Sequence, residues 1–101
     1  MPSESRKPLC VLFITAEAEP FIKIGGLGDY SGSLPKAIAG IKSNNNPGVD
    51  IRVALPYLSG IETKVPPIKK VANISVETKR GFAKGLVYQF TYRDIIYFLI
   101  P

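Results

Sequence analysis

Six consecutive apolar residues at positions 95–100, Ile-Ile-Tyr-Phe-Leu-Ile, constrain the fold of this chain more than any other feature. A strand without polar positions suits the middle of a sheet that is covered on both faces. The sequence contains one clear helix pattern, and one helix covers one face. We therefore expect this chain to be the N-terminal part of a longer protein, whose remainder or a partner covers the second face. The alternative is a small complete α+β domain with a protected last strand.

The first half of the chain predicts a βαβ unit. Residues 9–15 form another apolar run, typical of a strand buried in a parallel sheet. Residues 27–41 have the spacing of an amphipathic helix, which Pro35 should kink. Alternating apolar and polar residues at 49–55 predict a strand that ends at Pro56. A strand, a helix and a strand in this order favour a right-handed crossover. The apolar positions of the predicted helix face are Leu27, Tyr30, Leu34, Ile38 and Ile41.

The remaining segments predict a hairpin, turns and a tail. Residues 71–78 and 86–92 have strand character and should pair around a connection at 80–85. Arg93 and Asp94 then form a tight turn into the last strand. The Asn-rich residues 43–48 are a turn by composition. Residues 1–8 are polar with two prolines and predict a flexible tail, so we assign the incomplete domain to residues 9–101.

Composition excludes several kinds of chemistry. The 101 residues include no histidine and one cysteine, Cys10, so the chain offers no imidazole base, His-ligated metal or internal disulfide. The net charge is +5, and Glu77 is the only acid between Lys64 and Arg93. This distribution is typical of a solvated sheet edge, with a binding patch as the alternative. No nucleic-acid-binding motif is present, and no apolar run reaches the roughly 18 residues of a membrane span.

The strand-to-helix turn at residues 23–29, Lys-Ile-Gly-Gly-Leu-Gly-Asp, is the chemical candidate. A helix N-terminus presents free N–H groups, and glycines allow a diphosphate to approach the backbone. Lys23 adds a full positive charge. The turn should lie at the carboxyl end of the sheet, where ligands bind in open α/β folds. The motif fits neither the dinucleotide-binding fingerprint nor the Walker loop. A plain turn with close helix packing is the structural alternative.

A longer stretch gives a specific resemblance. Residues 16–29, AEAEPFIKIGGLGD, resemble the N-terminal segment of bacterial glycogen synthases and plant-type starch synthases. The similarity continues through residues 32–37, GSLPKA, and 50–57, DIRVALPY. It spans residues 9–101 but only about the first fifth of such an enzyme. Tyr30 and the longer Asn-rich turn depart from the family pattern.

This resemblance implies a fold and an activity. The fold is α/β, a partial Rossmann-like N-terminal domain of a GT-B glycosyltransferase, with a βαβ unit followed by a β-hairpin and a buried strand. The family transfers glucose from ADP-glucose, or from UDP-glucose in some members, to the non-reducing end of an α-1,4-glucan. The reaction requires no metal or cofactor. The implied location is the cytoplasm, or the plastid in a plant.

The resemblance also assigns roles to individual residues. Lys23 matches the lysine that contacts the sugar-nucleotide phosphates, and Gly25 and Gly26 match glycines that border the donor. Asp29 matches an aspartate linked to donor placement, and Glu17 an acidic residue with a supporting role. The catalytic histidine and glutamate of the family lie beyond this chain, so we expect the isolated chain to be inactive. The alternative function is a non-catalytic nucleotide- or glucan-binding module.

Overall fold

A computed structural model describes residues 7–23, 25–41 and 48–101. Residues 43–47 of the predicted Asn-rich turn and residues 1–6 of the predicted tail lie outside these residues. Along the described chain the elements are β1 (Leu9–Ile14), α1 (Gly26–Ala39), β2 (Val49–Pro56), a 3-10 turn (Ile61–Thr63), β3 (Lys69–Thr78), β4 (Gly81–Tyr92) and β5 (Ile95–Ile100).

The described strands form one mixed sheet in the order β1-β2-β5-β4-β3. β1 and β5 both pair with β2 in parallel, whereas β4 is antiparallel to β5 and to β3. The predicted βαβ unit, the hairpin and the central position of β5 are therefore confirmed. The edges of the sheet are β1 and β3.

One face of the sheet carries the core. Alternate residues of β5 (Ile95, Tyr97 and Leu99) are buried on this face, beside Val53 of β2 and Phe90 of β4. On the opposite face, Ile14 of β1 is 74% exposed, and the other residues of β5 are only half-buried. The expectation that one helix covers only one face of the sheet is therefore confirmed for the described residues. Their single α-helix layer covers one face only.

Helix α1 packs through small residues rather than through its predicted apolar face. Gly28, Ser31 and Pro35 are buried, whereas Leu27 and Tyr30 are 51% and 65% exposed. A helix that lies close to its neighbours needs small side chains at the contact, since a large one would hold it away. The apolar spacing predicted a helix correctly but its buried side only in part: Leu34 and Ile38 are half-buried, and Ile38 packs against the core.

The turns are tighter than predicted. β3 and β4 continue to a two-residue connection, Lys79 and Arg80, where the sequence predicted a connection at 80–85. Gly81 has a φ of +110°, which favours glycine. The Arg93–Asp94 turn is confirmed, with φ values of +51° and +66°.

Candidate functional site

The segment between β1 and α1 is held firmly against the core. In this β1–α1 loop (residues 15–23), Phe21 is buried and meets the rings of Phe90, Tyr92 and Tyr97 edge-on, at centroid distances of 5.0, 4.9 and 5.5 Å. The Ala18 N–H donates to the Ile22 carbonyl at 2.8 Å, closing a turn around this ring. Because Phe21 is two residues from Lys23, it fixes the place where Lys23 leaves the core. Sequence reasoning missed this anchor, although the apolar pair Phe21 and Ile22 between Glu19 and Lys23 was a signal.

Glu17 lies at the start of α1. Its Oε1 atom accepts hydrogen bonds from the backbone N–H groups of Gly25 at 3.0 Å and Gly28 at 2.8 Å. A carboxylate at this position satisfies otherwise unpaired N–H groups and is favoured by the helix dipole. Gly25 is the N-cap residue and has no side chain with which to cap the helix, so Glu17 provides the cap from eleven residues before Gly28.

Lys23 and Asp29 form an ion pair in front of the helix start. The Lys23 Nζ and Asp29 Oδ1 atoms are 2.8 Å apart, and both side chains are about half exposed, at 49% and 56%. The hydrogen bond to Asp29 raises the pKa of Lys23, and the same bond lowers the pKa of Asp29. Both groups are therefore charged at neutral pH, and solvent can reach them.

The glycines around this pair divide into two classes. A Cβ atom at Gly28 would lie 3.0 Å from Glu17 Oε1, and one at Gly32 would lie 2.5 Å from the Glu19 carbonyl oxygen. These two glycines allow α1 to lie against the β1–α1 loop. A Cβ atom at Gly25 or Gly26 would meet nothing within 4 Å. Packing alone therefore does not explain the Gly25-Gly26 pair.

Two cavities lie on either side of the ion pair. One of about 230 Å³ contains Lys23 and lies between the β1–α1 loop and the segment after β2. The other, of about 220 Å³, contains Asp29 and lies between α1 and the end of β4. A larger cavity of about 380 Å³ lies where β2 and β5 begin, at the opposite end from the one where ligands of open α/β sheets bind. The Lys23 cavity is further lined by Phe21, Ile22, Leu58, Ser59, Ile61 and Lys64.

Two further features concern only the part of the chain that the structure describes. It contains no cluster of three or more His, Cys, Asp or Glu side chains placed to hold a metal ion. None of its helices is both long enough and apolar enough to cross a membrane.

Comparison with known proteins identifies the family of this chain. The family model described as the starch synthase catalytic domain matches residues 10–101. The chain belongs to this family. Its relatives include the glycogen synthase of Clostridium perfringens, which is 39% identical over 100 residues, and that of Lacticaseibacillus casei, which is 41% identical over 95. These matches cover 96% and 91% of this chain but only 19% and 18% of the relatives, so the chain spans under a fifth of their length.

A solved structure shows the same fold. The catalytic domain of starch synthase IV from Arabidopsis thaliana, bound to ADP and acarbose, superposes with a TM-score of 0.76 and 23% sequence identity. The match covers 93% of this chain and 18% of the Arabidopsis chain. The family expected from the sequence and the α/β fold class, part of a GT-B catalytic domain, are both confirmed.

The structure brings the predicted site residues of this starch synthase family member together. Glu17, Lys23, Gly25 and Asp29 meet where the β1–α1 loop joins α1, and Gly26 begins the helix. Their roles toward a sugar nucleotide stay predictions. Close helix packing, the alternative interpretation of the 23–29 turn, applies at Gly28, whereas no role was predicted for Gly32.

Proposed function

We propose that this chain is the N-terminal part of a glycogen or starch synthase, which transfers glucose from ADP-glucose to the non-reducing end of an α-1,4-glucan. Within that enzyme, the junction of the β1–α1 loop and α1 contacts the donor diphosphate. The observation that carries the proposal is the Lys23 ammonium group in front of an open glycine backbone, in a chain that belongs to the starch synthase family. The ADP in the Arabidopsis relative supports a nucleotide donor.

The electrostatics give Lys23 the main role. The Glu17 carboxylate accepts hydrogen bonds from the N–H groups of Gly25 and Gly28, so it neutralises part of the positive charge at the N-terminus of α1. The N–H groups of Gly26 and Leu27 have no acceptor among the described residues. When the glucosyl bond breaks, negative charge grows on the leaving diphosphate. Lys23 and these two N–H groups are the donors that would stabilise it.

The remaining parts of the reaction belong to the rest of the enzyme. We assign the catalytic histidine and the second-domain glutamate to sequence outside this chain, which has no histidine. Acarbose in the Arabidopsis relative supports a glucan as the acceptor. UDP-glucose is the alternative donor. We place the enzyme in the cytoplasm, or in the plastid if the source is a plant.

A hybrid enzyme tests this proposal. Residues 9–101 replace the matching segment of the Clostridium perfringens glycogen synthase, and transfer of labelled glucose to glycogen is measured with ADP-glucose and with UDP-glucose. We expect the hybrid to transfer glucose preferentially from ADP-glucose, and the isolated chain to transfer none. A hybrid that unfolds cooperatively but has no activity contradicts the proposal. If the isolated chain then still sediments with glycogen, the binding-module alternative is favoured.

A further inference from the structure

Two hydroxyl groups join β1 to α1 beneath the candidate site. Thr15 follows β1 and is 8% exposed, and Ser31 lies in the second turn of α1 and is fully buried. The Thr15 Oγ1 and Ser31 Oγ atoms are 3.1 Å apart. Neither residue contacts Lys23 or Asp29 by any hydrogen bond or ion pair within the described chain.

The direction of these hydrogen bonds follows from counting protons. Thr15 has one hydroxyl proton, and Oγ1 donates it to the Glu17 carbonyl oxygen at 2.9 Å. Ser31 must therefore donate to Thr15 Oγ1, which also receives the Glu17 N–H at 3.4 Å. The order is Ser31 to Thr15 to the Glu17 backbone.

The Glu17 side chain connects this series of hydrogen bonds back to α1. Its Oε1 atom returns to α1 and accepts the N–H groups of Gly25 and Gly28. The end of β1, the β1–α1 loop and the first turns of α1 are thus joined in one ring of hydrogen bonds. The absence of a Cβ atom at Gly28 leaves room for the carboxylate, since such an atom would lie 3.0 Å from Oε1.

We infer that Thr15 and Ser31 are positioning residues for the binding of a nucleoside diphosphate sugar, an inference that rests on the proposed function. They act through Glu17, whose backbone they hold and whose carboxylate sets the Gly25–Gly28 turn beside Lys23. Stability alone does not demand this pair. When both partners of a buried hydrogen bond are replaced by apolar groups of similar shape, the change in stability is often close to neutral. A site that holds a diphosphate does need a fixed loop position, because a small misplacement of the bound substrate reduces the rate strongly.

The test uses the hybrid synthase with Thr15→Val, Ser31→Ala, the double variant and the conservative Thr15→Ser. We expect kcat/KM for ADP-glucose to fall about tenfold to a hundredfold in Thr15→Val and in the double variant. Thr15→Ser restores it to within about twofold, and the KM for glycogen stays unchanged. The double variant should keep the melting temperature of the parent, which separates positioning from stability. Ser75→Ala, which removes an exposed hydroxyl from β3, is the matched control and should leave kcat/KM and the melting temperature unchanged.

A second measurement uses the isolated chain without ligand, with Ile14→Lys in every variant so that an exposed apolar side chain does not cause association. In amide NMR spectra, we expect Thr15→Val to move the proton shifts of Gly25 and Gly28 toward those seen in Glu17→Ala, and Thr15→Ser to leave them in place. Thr15→Val with parent kinetics, or with parent Gly25 and Gly28 shifts, overturns the inference. If the unmodified hybrid is inactive, the proposed function fails, and the NMR shifts still decide whether the two hydroxyls hold the loop.

Discussion

At the scale of single residues, the site joins two charged side chains, Lys23 and Asp29, to a backbone that uncharged side chains hold in place. Lys23 and Asp29 were predictable because their residue types and spacing form a known motif. Their direct 2.8 Å contact was not predictable, because the sequence does not show whether two side chains six positions apart across a turn will meet. Thr15, Phe21 and Ser31 act through partners that are distant in the chain, and such contacts exist only after folding.

Removing the Lys23 charge should reduce donor use. In the hybrid synthase, we expect Lys23→Ala to lower kcat/KM for ADP-glucose by about a hundredfold, the effect of losing one preorganised donor to developing charge. Lys23→Arg should recover part of the loss, because a planar guanidinium replaces a compact ammonium. Lys69→Ala, an exposed lysine on β3, is the control. Unchanged donor kinetics in Lys23→Ala would show that Lys23 does not meet the diphosphate.

Substituting alanine for a glycine distinguishes the closely packed glycines from those with open space around them. Gly32→Ala should destabilise the chain by about 1–3 kcal/mol, because its Cβ would lie 2.5 Å from a backbone oxygen that cannot move freely. Gly26→Ala meets nothing within 4 Å and should leave stability unchanged or slightly higher. Urea denaturation followed by circular dichroism measures both. Equal stability of the two variants would refute the close packing at Gly32.

At the scale of elements, strands were more predictable than their surroundings. Their apolar runs, period-two alternation and turn residues predicted β1, β2 and β5 to within one residue, whereas β3 and β4 are longer than predicted. The buried side of α1 was not predictable from hydrophobic spacing. The helix packs on β2 and also lies close to the β1–α1 loop, and its fully buried residues are Gly28, Ser31 and Pro35. Close contact with a loop leaves no periodic apolar signal in the sequence.

The backbone of the turn between β4 and β5 is strained, and a glycine there should relieve the strain. Both Arg93 and Asp94 have positive φ, as a two-residue turn between twisted strands requires, and glycine adopts this conformation most easily. Asp94→Gly should therefore stabilise the fold by about 1 kcal/mol. Asp94→Ala also loses the 3.7 Å contact with Lys36 but keeps a Cβ atom, so it should destabilise. Thermal denaturation that ranks alanine above glycine at this position would contradict the strain.

At the scale of the whole molecule, the sheet is covered on one side only. The sequence predicted this imbalance, because it has two unbroken apolar strands and one helix. β5 itself has no free edge, since it pairs with β2 on one side and β4 on the other. The edge strand β3 begins with Lys69 and Lys70, which disfavour pairing with other strands. The other edge, β1, has no charged residue between Leu9 and Ile14.

The uncovered face and the uncharged edge strand β1 predict how the isolated chain behaves in solution. Leu12 and Ile14 are 56% and 74% exposed on the uncovered face, beside an uncharged edge strand. Burial of that surface against a second copy would remove apolar area from water and pair the free edge of β1. We therefore expect the chain to self-associate at micromolar concentrations, and Ile14→Lys to make it monomeric. Phe82→Lys places the same charge at a residue that is 68% exposed at the far end of the hairpin, so it should still associate. Sedimentation velocity over a range of concentrations distinguishes the species, and a parent chain that stays monomeric throughout would show that this face does not drive association.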